Sequence, residues 1–562
     1  MLTDIAKWKN YKDLDETLKK ELDSFTEEDY YEAFYTDLAF GTGGMRGILG
    51  PGTNRMNIYT MRRANYGYGQ YILQTKKANP SVVIAYDCRH NSRLFAEESA
   101  RVLATMGIKV LVFDKITPTP ELSFAVRELK ATGGIVITAS HNPPNYNGYK
   151  IYDDFGCQLV PDLADIVIDE IAKAPDAFQI DVESFASLKQ KGYIEIVDDS
   201  IDTAYLNKVK SIRVHPDLNK ENFLVVFTPL HGTSSLLGQR LLQETGYPCI
   251  PVVEQMVADP NFSTVSSPNP ENKEAFDLAI TYAKKHHADI CIATDPDADR
   301  MGIAVYHQGN YVLLTGNQTG AILIQYLAKY RTLKKKGVLF NTIVTSPLGA
   351  AIARKYHLDV ISTLTGFKYI GEQAKLLENT EREFFFGYEE SYGYVVSDFV
   401  RDKDSLQALL LCSEVACYYK NQGKTLVDVL EEIYQEYGYY HDHLINITLT
   451  GASGAQKIEE ILNYFHNEKQ SNFQGLKIVA KEDYLLQQRF ENNQTTKLAL
   501  PKANVIKYFL DDGSWFVLRP SGTEPKMKVY ISVVTNSRHD SILRSKEIEQ
   551  KVMELINHIK GE

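Results

Sequence analysis

Cysteine is scarce in this chain. Only six occur among 562 residues (Cys88, Cys157, Cys249, Cys291, Cys412 and Cys417), with no CxxC pair and no zinc-like spacing. That excludes a disulfide scaffold and a zinc module, and reads as reduced, mostly buried thiols of a cytoplasmic protein. Long apolar runs are missing as well. The longest, such as Ala408 to Cys417, fall far short of the ~20 residues that span a bilayer. The charged start, MLTDIAKWKNYKDLDE, has no apolar stretch of the signal-peptide kind. Nor is positive charge in excess: 61 Lys and Arg against 72 Asp and Glu leave a net charge of −11. Such a field repels polyphosphate backbones and argues against a nucleic-acid binder. A local cluster of Arg and Lys can still hold a small anion.

What is present is ordinary for folded protein, 44% hydrophobic and 24% charged residues. At about 150 residues per domain, the length suggests three or four domains. After a charged, helical start, short apolar runs alternate with amphipathic stretches. Ser81–Asp87, Lys109–Asp114 and Gly133–Thr138 read as strands, with helical spacing from Leu94 to Met106. The rhythm returns at Asn222–Phe227, Ala288–Thr294, Gly337–Thr345 and Leu358–Leu364. This alternation predicts an α/β class, with several helix-covered sheets in series. Breaks near residues 205, 315 and 440 divide the chain into 1–205, 206–315, 316–440 and 441–562. The last stretch has fewer βα alternations and a late strand pair around SWFVLRPSGTEPKMKVYISVV.

Four polar, glycine-bearing segments carry candidate chemistry, and three follow predicted strands, where ligands of open α/β sheets collect. In TASHNPPNYNGYK, Ser140 leaves a strand for a turn rich in Asn, Pro and Gly, with His141 and Lys150 close by. It reads as a turn serine or as a nucleophile or phosphate carrier. In ATDPDADRMG, Asp295, Asp297 and Asp299 alternate beside Arg300, suiting a hard divalent cation such as Mg²⁺. An EF-hand is excluded, because Arg300 and Tyr306 stand where Gly and Glu are needed. The other reading is three solvated acids in a turn. EFFFGYEESYGY places Glu389, Glu390 and Ser391 beside aromatics, as a sugar site or a polar turn. RPSGTEPKMKVY offers Arg519, Ser521, Gly522 and Thr523 to a phosphate, or makes a plain β-turn. FGTGGMRG, with Arg46, matches neither the dinucleotide fingerprint nor the P-loop. YDCRHNSR and LTGFK add cations at further strand ends. Together these residues describe phosphoryl chemistry on a polar small molecule.

In this order, the segments resemble the α-D-phosphohexomutase superfamily, which includes phosphoglucomutases and phosphomannomutases. TASHNP resembles its phosphoserine loop, DPDADR its metal loop, YEES its sugar loop and RPSGTEP its phosphate-binding loop. FGTGGMRG, TPLHGT (Thr228–Thr233) and LTGFK also fit, over nearly the whole chain. GYEESYGY…VRDKDS followed by IYQEYGYY most resembles the larger phosphoglucomutase/phosphopentomutase branch. The chain departs from the family pattern at Tyr388, which precedes Glu389 in place of Gly, and at Ser405, which takes a Gly position after Asp404.

The resemblance implies three similar α/β domains plus a smaller C-terminal α+β domain around a central cleft. It implies phosphoserine at Ser140, and one Mg²⁺ on Asp295, Asp297, Asp299 and a phosphoserine oxygen. Glu389 and Ser391 would hold sugar hydroxyls. Arg519, Ser521, Gly522 and Thr523 would grip the phosphate not in transfer, with Arg300, Thr365, Gly366 and Lys403 also on the substrate. Arg46 and Lys150 would stabilise charge or handle protons, Lys150 being the first choice of general base and Lys368 the reserve. The implied reaction is interconversion of glucose 1-phosphate and glucose 6-phosphate, with glucose 1,6-bisphosphate as bound intermediate and activator. Pentose or mannose phosphates remain alternatives with the same machinery, as do a sugar-bisphosphate synthase and a non-catalytic sugar-phosphate sensor. The partners implied are small sugar phosphates, with no nucleic acid and no membrane, and the chain as a monomer or weak homodimer.

Overall fold

The apolar runs at Ser81–Asp87, Lys109–Asp114, Gly133–Thr138, Asn222–Phe227 and Ala288–Thr294 become inner strands of two mixed sheets. The computed structural model describes residues 1–41, 44–449, 451–467, 472–520 and 526–560. It divides into two units: residues 1–316, 332–337 and 367–425, and residues 317–331, 338–366 and 426–562.

In the first unit, strands Gly133–Ile137, Ser81–Tyr86, Lys109–Phe113 and Ile194–Val197 run parallel, side by side. Their Val and Ile side chains are almost wholly buried under helices such as Ile58–Gln74 and Ser92–Thr105. Each such side chain contributes about 1.5–3 kcal/mol by leaving water. The sheet continues through Tyr146–Tyr152 and Gly44–Ile48, both antiparallel. A second sheet holds parallel strands Ile290–Thr294, Val225–Thr228 and Cys249–Pro251, extended antiparallel by Met301–His307 and Asn310–Leu314. Strand Arg382–Tyr388 of this unit pairs with Tyr394–Val395. The helix Ser200–Lys210 spans the break expected near residue 205. The charged N-terminal stretch forms three helices, Leu2–Asn10, Glu16–Asp23 and Glu27–Phe34, the last closed by a Thr26/Asp29 capping box. Trp8 and Phe34 bury themselves there against Tyr59 and Phe178.

In the second unit, Val338–Thr342 runs parallel to Asp359–Thr363. The C-terminal part is an antiparallel sheet in which Trp515–Pro520 and Lys526–Thr535 form the late strand pair. Helices Gly451–Asn467 and Arg538–Lys560 cover one core with it, built on Phe465, Phe516, Val529 and Val552. Among the described residues no helix is long and apolar enough to cross a membrane.

Candidate active site

Two strand ends of the first unit bring the serine and the aspartates together. Strand Gly133–Ile137 ends three residues before Ser140, which is buried and left-handed, with φ of 51°. A left-handed L-residue costs about 1–2 kcal/mol, so the loop must hold it by specific bonds. The Ser140 N–H donates to Thr138 Oγ1 at 2.8 Å. Its hydroxyl donates to Asp295 Oδ2 at 2.7 Å and lies 3.1 Å from His141 Nδ1.

Asp295 stands where Ile290–Thr294 ends, and its loop folds back on it. Asp295 Oδ1 accepts the N–H groups of Asp299 at 3.1 Å and Arg300 at 2.9 Å. The turn passes through left-handed Ala298. This brings one carboxylate oxygen from each of Asp295, Asp297 and Asp299 within 4.8 Å of one another, all buried. Lys150, on the antiparallel strand Tyr146–Tyr152, places Nζ 2.8 Å from Asp297 Oδ2 and 3.2 Å from Asp299 Oδ2. Lys403 Nζ lies 3.2 Å from Asp299 Oδ2 and 3.2 Å from Asp402 Oδ1. Gly393 makes room for it, because a Cβ there would sit 2.2 Å from Lys403 Cδ. Thr119 adds its hydroxyl to Asp297 Oδ2 at 3.0 Å.

Burial, then the charges of Asp297 and Asp299, push the Asp295 carboxyl well above the ordinary range. Burial acts the same way on Asp297, but Lys150 and Lys403 outweigh it and hold that carboxyl low. Lys150 is driven the other way: burial favours the neutral amine, while Asp297 and Asp299 prevail and keep it an ammonium. His141 is held neutral by burial and by the nearby charges of Arg300 and Arg46. Despite these partners, Asp297 Oδ1 and Asp299 Oδ1 are buried without a hydrogen bond. Three converging carboxylates, two of which keep an oxygen without a hydrogen bond, fit a divalent cation.

Other residues singled out in the sequence join this unit. Arg46 Nη1 donates to Asn142 Oδ1 of the serine loop at 2.9 Å. Arg300 pairs with Glu271. Glu389 is buried where strand Arg382–Tyr388 ends, with its N–H on the Gly393 carbonyl at 2.9 Å and its charge felt by Arg300 and Lys403. Ser391 follows in the same turn, half-buried. Lys368, near the start of helix Phe367–Leu376, is buried with Nζ 5.3 Å over the Tyr369 ring.

The two departures from the family pattern have structural consequences. Tyr388 is wholly buried in the first unit, against Phe386. Ser405 opens helix Ser405–Lys420, and its hydroxyl donates to the Ala298 carbonyl at 2.6 Å, tying the Lys403 turn to the aspartate loop.

Thr365, Gly366 and Arg519 belong to the second unit. Gly366, with φ of 113°, turns the chain after strand Asp359–Thr363. Arg519 lies on the strand Trp515–Pro520, opposite Lys528. Ser521, Gly522 and Thr523 lie outside the described residues, as do Thr42 and Gly43 of the FGTGGMRG segment. Sequence reasoning missed Thr119, Glu271 and the precise place of Arg89, whose only signal was a cation just past a strand end.

The same domains recur in known proteins. Models of the phosphoglucomutase/phosphomannomutase alpha/beta/alpha domains I, II and III match residues 37–177, 203–309 and 315–437. The C-terminal domain of that family matches residues 444–543. The chain therefore belongs to the phosphoglucomutase/phosphomannomutase family, with its three α/β/α domains and C-terminal domain. A phosphoglucomutase of Staphylococcus aureus (strain MRSA252) is 41% identical over 506 residues, covering 89% of this chain and 90% of the relative. One of Staphylococcus haemolyticus (strain JCSC1435) is 39% identical over 559 residues, 99% of each chain. In fold, the chain is similar to the open form of the Paramecium phosphoprotein pp63/parafusin, a phosphoglucomutase. The TM-score is 0.70 at 18% identity, covering 94% of this chain and 96% of that one.

Proposed function

We propose that this chain interconverts glucose 1-phosphate and glucose 6-phosphate, as its relatives' name describes, through phosphorylated Ser140 and bound glucose 1,6-bisphosphate. The observation that carries this reading is the Ser140 hydroxyl, 2.7 Å from Asp295 in a cluster with two unsatisfied buried carboxylate oxygens. It occurs in a chain about 40% identical, over nearly its whole length, to proteins named phosphoglucomutase.

Asp295, Asp297 and Asp299 would hold Mg²⁺, which when bound neutralises charge beside the phosphoryl group. Phosphoserine brings about −1.5 to −2 charge to a site already holding three carboxylates. Lys150, Lys403, Arg300 and Arg46 offset the rest, and phosphoryl transfer depends mainly on such positioning and neutralisation. In the forward direction the P–O bond to Ser140 breaks as a bond forms to the free hydroxyl of the 1-phosphosugar. The hydroxyl proton passes to a base, for which Lys150 is our first choice and Lys368 the reserve. Because Asp297 and Asp299 keep Lys150 protonated, it accepts a proton only once that pairing is released. The bisphosphate turns over, its other phosphate returns to Ser140, and the 6-phosphosugar leaves. Glu389 and Ser391 would hold sugar hydroxyls. Thr365 and Gly366 would contact the substrate, and Arg519, Ser521, Gly522 and Thr523 would hold the phosphate not in transfer. The chain is proposed to work in the cytoplasm, as a monomer or weak homodimer, on sugar phosphates alone.

The test is turnover of glucose 1-phosphate beside mannose 1-phosphate and ribose 1-phosphate, with Mg²⁺ and a trace of glucose 1,6-bisphosphate. Conversion of glucose 1-phosphate to the 6-phosphate fastest of the three is expected. A faster pentose reaction would change the substrate. Release of free bisphosphate, or no conversion from folded protein phosphorylated on Ser140, would overturn the reading.

A further inference from the structure

We infer that Arg89, with Thr138, is a positioning pair for the phosphoryl transfer proposed above, pinning the backbone on both sides of Ser140. The inference rests on that reading of Ser140. It begins from the conformation of the serine, whose φ of 51° is one that an L-residue adopts only at a cost. Released, the residue would relax to an ordinary conformation and swing its oxygen away from Asp295.

Each peptide group flanking Ser140 is tied down. Its N–H donates to Thr138 Oγ1 at 2.8 Å, and its carbonyl accepts from Arg89 Nη2 at 2.6 Å. The same guanidinium also donates to the carbonyl of Asn142, and through Nη1 to those of Pro143 at 2.8 Å and Tyr146 at 3.1 Å. Four carbonyls of one loop thus converge on one cation whose side chain is fully buried. Without it the carbonyls of Ser140, Asn142 and Tyr146 would lose a buried charged donor, and that of Pro143 would keep only the Tyr146 N–H at 3.1 Å.

The clamp is itself anchored. Asp87 Oδ2 lies 3.4 Å from Arg89 Nε, and Asp87 Oδ1 accepts the Arg89 N–H at 2.9 Å and the Ser92 hydroxyl at 2.6 Å. On the other side the Phe262 ring, itself buried, lies 5.0 Å from the guanidinium carbon. Arg46 and His141 meet the loop through side-chain atoms, whereas Arg89 grips only its backbone. Arg89 therefore sets where the serine oxygen stands and touches no reacting atom. A lysine cannot substitute, because one ammonium has three donors and no planar fork to spread over four carbonyls.

The experiment compares the unaltered enzyme with Arg89→Lys, Arg89→Ala and Thr138→Val, measuring kcat, KM for glucose 1-phosphate and the thermal midpoint. Displacing a reacting group by about 1 Å costs roughly 100-fold in rate. Both Arg89→Lys and Thr138→Val are expected to lower kcat of the folded fraction by ~10- to 100-fold, with KM changed less than ~3-fold. Methylguanidinium should raise the activity of Arg89→Ala, and methylammonium should not. Variants with a lowered midpoint but unchanged kcat would overturn the inference, leaving a purely structural role. If neither Arg89 variant folds, Thr138→Val decides by the same criterion. An unaltered chain without turnover would instead overturn the reaction proposed for Ser140, a result distinct from an active parent with equally active variants.

Discussion

Buried charge is treated in opposite ways at the Ser140 and Asp295 strand ends and in the C-terminal sheet. In the sheet, Asp483 is fully buried, yet His466 Nδ1 lies 2.6 Å from it and the Leu486 N–H donates to it at 3.0 Å. Lys481 donates to the carbonyls of Phe465 at 2.8 Å and His466 at 2.7 Å. Burial alone would push the Asp483 carboxyl up, but His466 and the Leu486 N–H outweigh it and hold it low. At the strand ends three carboxylates crowd together, Asp295 is pushed well up, and two oxygens accept no hydrogen bond. The first region is satisfied by its own fold. The aspartate cluster keeps two carboxylate oxygens that a bound cation could satisfy, and in that the two regions differ.

The largest expected effect comes from removing the serine. Ser140→Ala should lower turnover by about 10⁴-fold or more while the thermal midpoint stays within about 2 °C. Near-normal turnover would remove Ser140 as the phosphoryl carrier. Next comes the cluster itself. Asp295→Asn should lower turnover by roughly 10³-fold, yet raise the midpoint of the metal-free protein by about 2–4 °C, because it deletes a buried charge beside like charges. Asp483→Asn should lower the midpoint instead, and shifts of the same sign for both would break the comparison. Lys150→Ala should cost about 100-fold in kcat, and a larger loss from Lys368→Ala would move the general base there.

The smallest effect tests the satisfied pair by pH. Burial pulls the His466 pKa down, but hydrogen bonds to Asp483 and Asn504 prevail and raise it above 6.5. A raised histidine stabilises fully below its unfolded value and loses that contribution as pH rises through the folded one. Asp483, held below 3.8, sets the acid limit. The stability difference between the parent and His466→Asn, about 1 kcal/mol at pH 6, should therefore shrink towards pH 9 in urea titrations. A difference that grows with pH would contradict the pairing.

The inner strands were legible because parallel strands buried on both faces are continuous apolar runs, as at Ser81–Tyr86 and Gly133–Ile137. The strands beside them were not. Tyr146–Tyr152 carries Asn147, Gly148 and Lys150, reads as loop, and becomes a strand by pairing with Gly133–Ile137 and Gly44–Ile48. The aspartate triplet was visible as alternate acids after a strand. That Lys150 and Lys403 would share Asp299 was not, because residues 253 positions apart in sequence meet only through the fold. Ser405 shows the reverse. Against the family pattern it is a substitution for glycine, yet in place it adds a hydrogen bond to the loop it borders. Arg89 was one cation among many until the carbonyls around it could be counted.

The Ser140 oxygen is proposed to carry the phosphoryl group. This role is tested most directly by incubating the protein with glucose 1,6-bisphosphate labelled in both phosphates, isolating the peptide containing Ser140, and chasing with unlabelled glucose 1-phosphate. Label is expected on Ser140 and passes to sugar phosphate at the rate of turnover. Turnover that proceeds while Ser140 stays unlabelled would contradict that role.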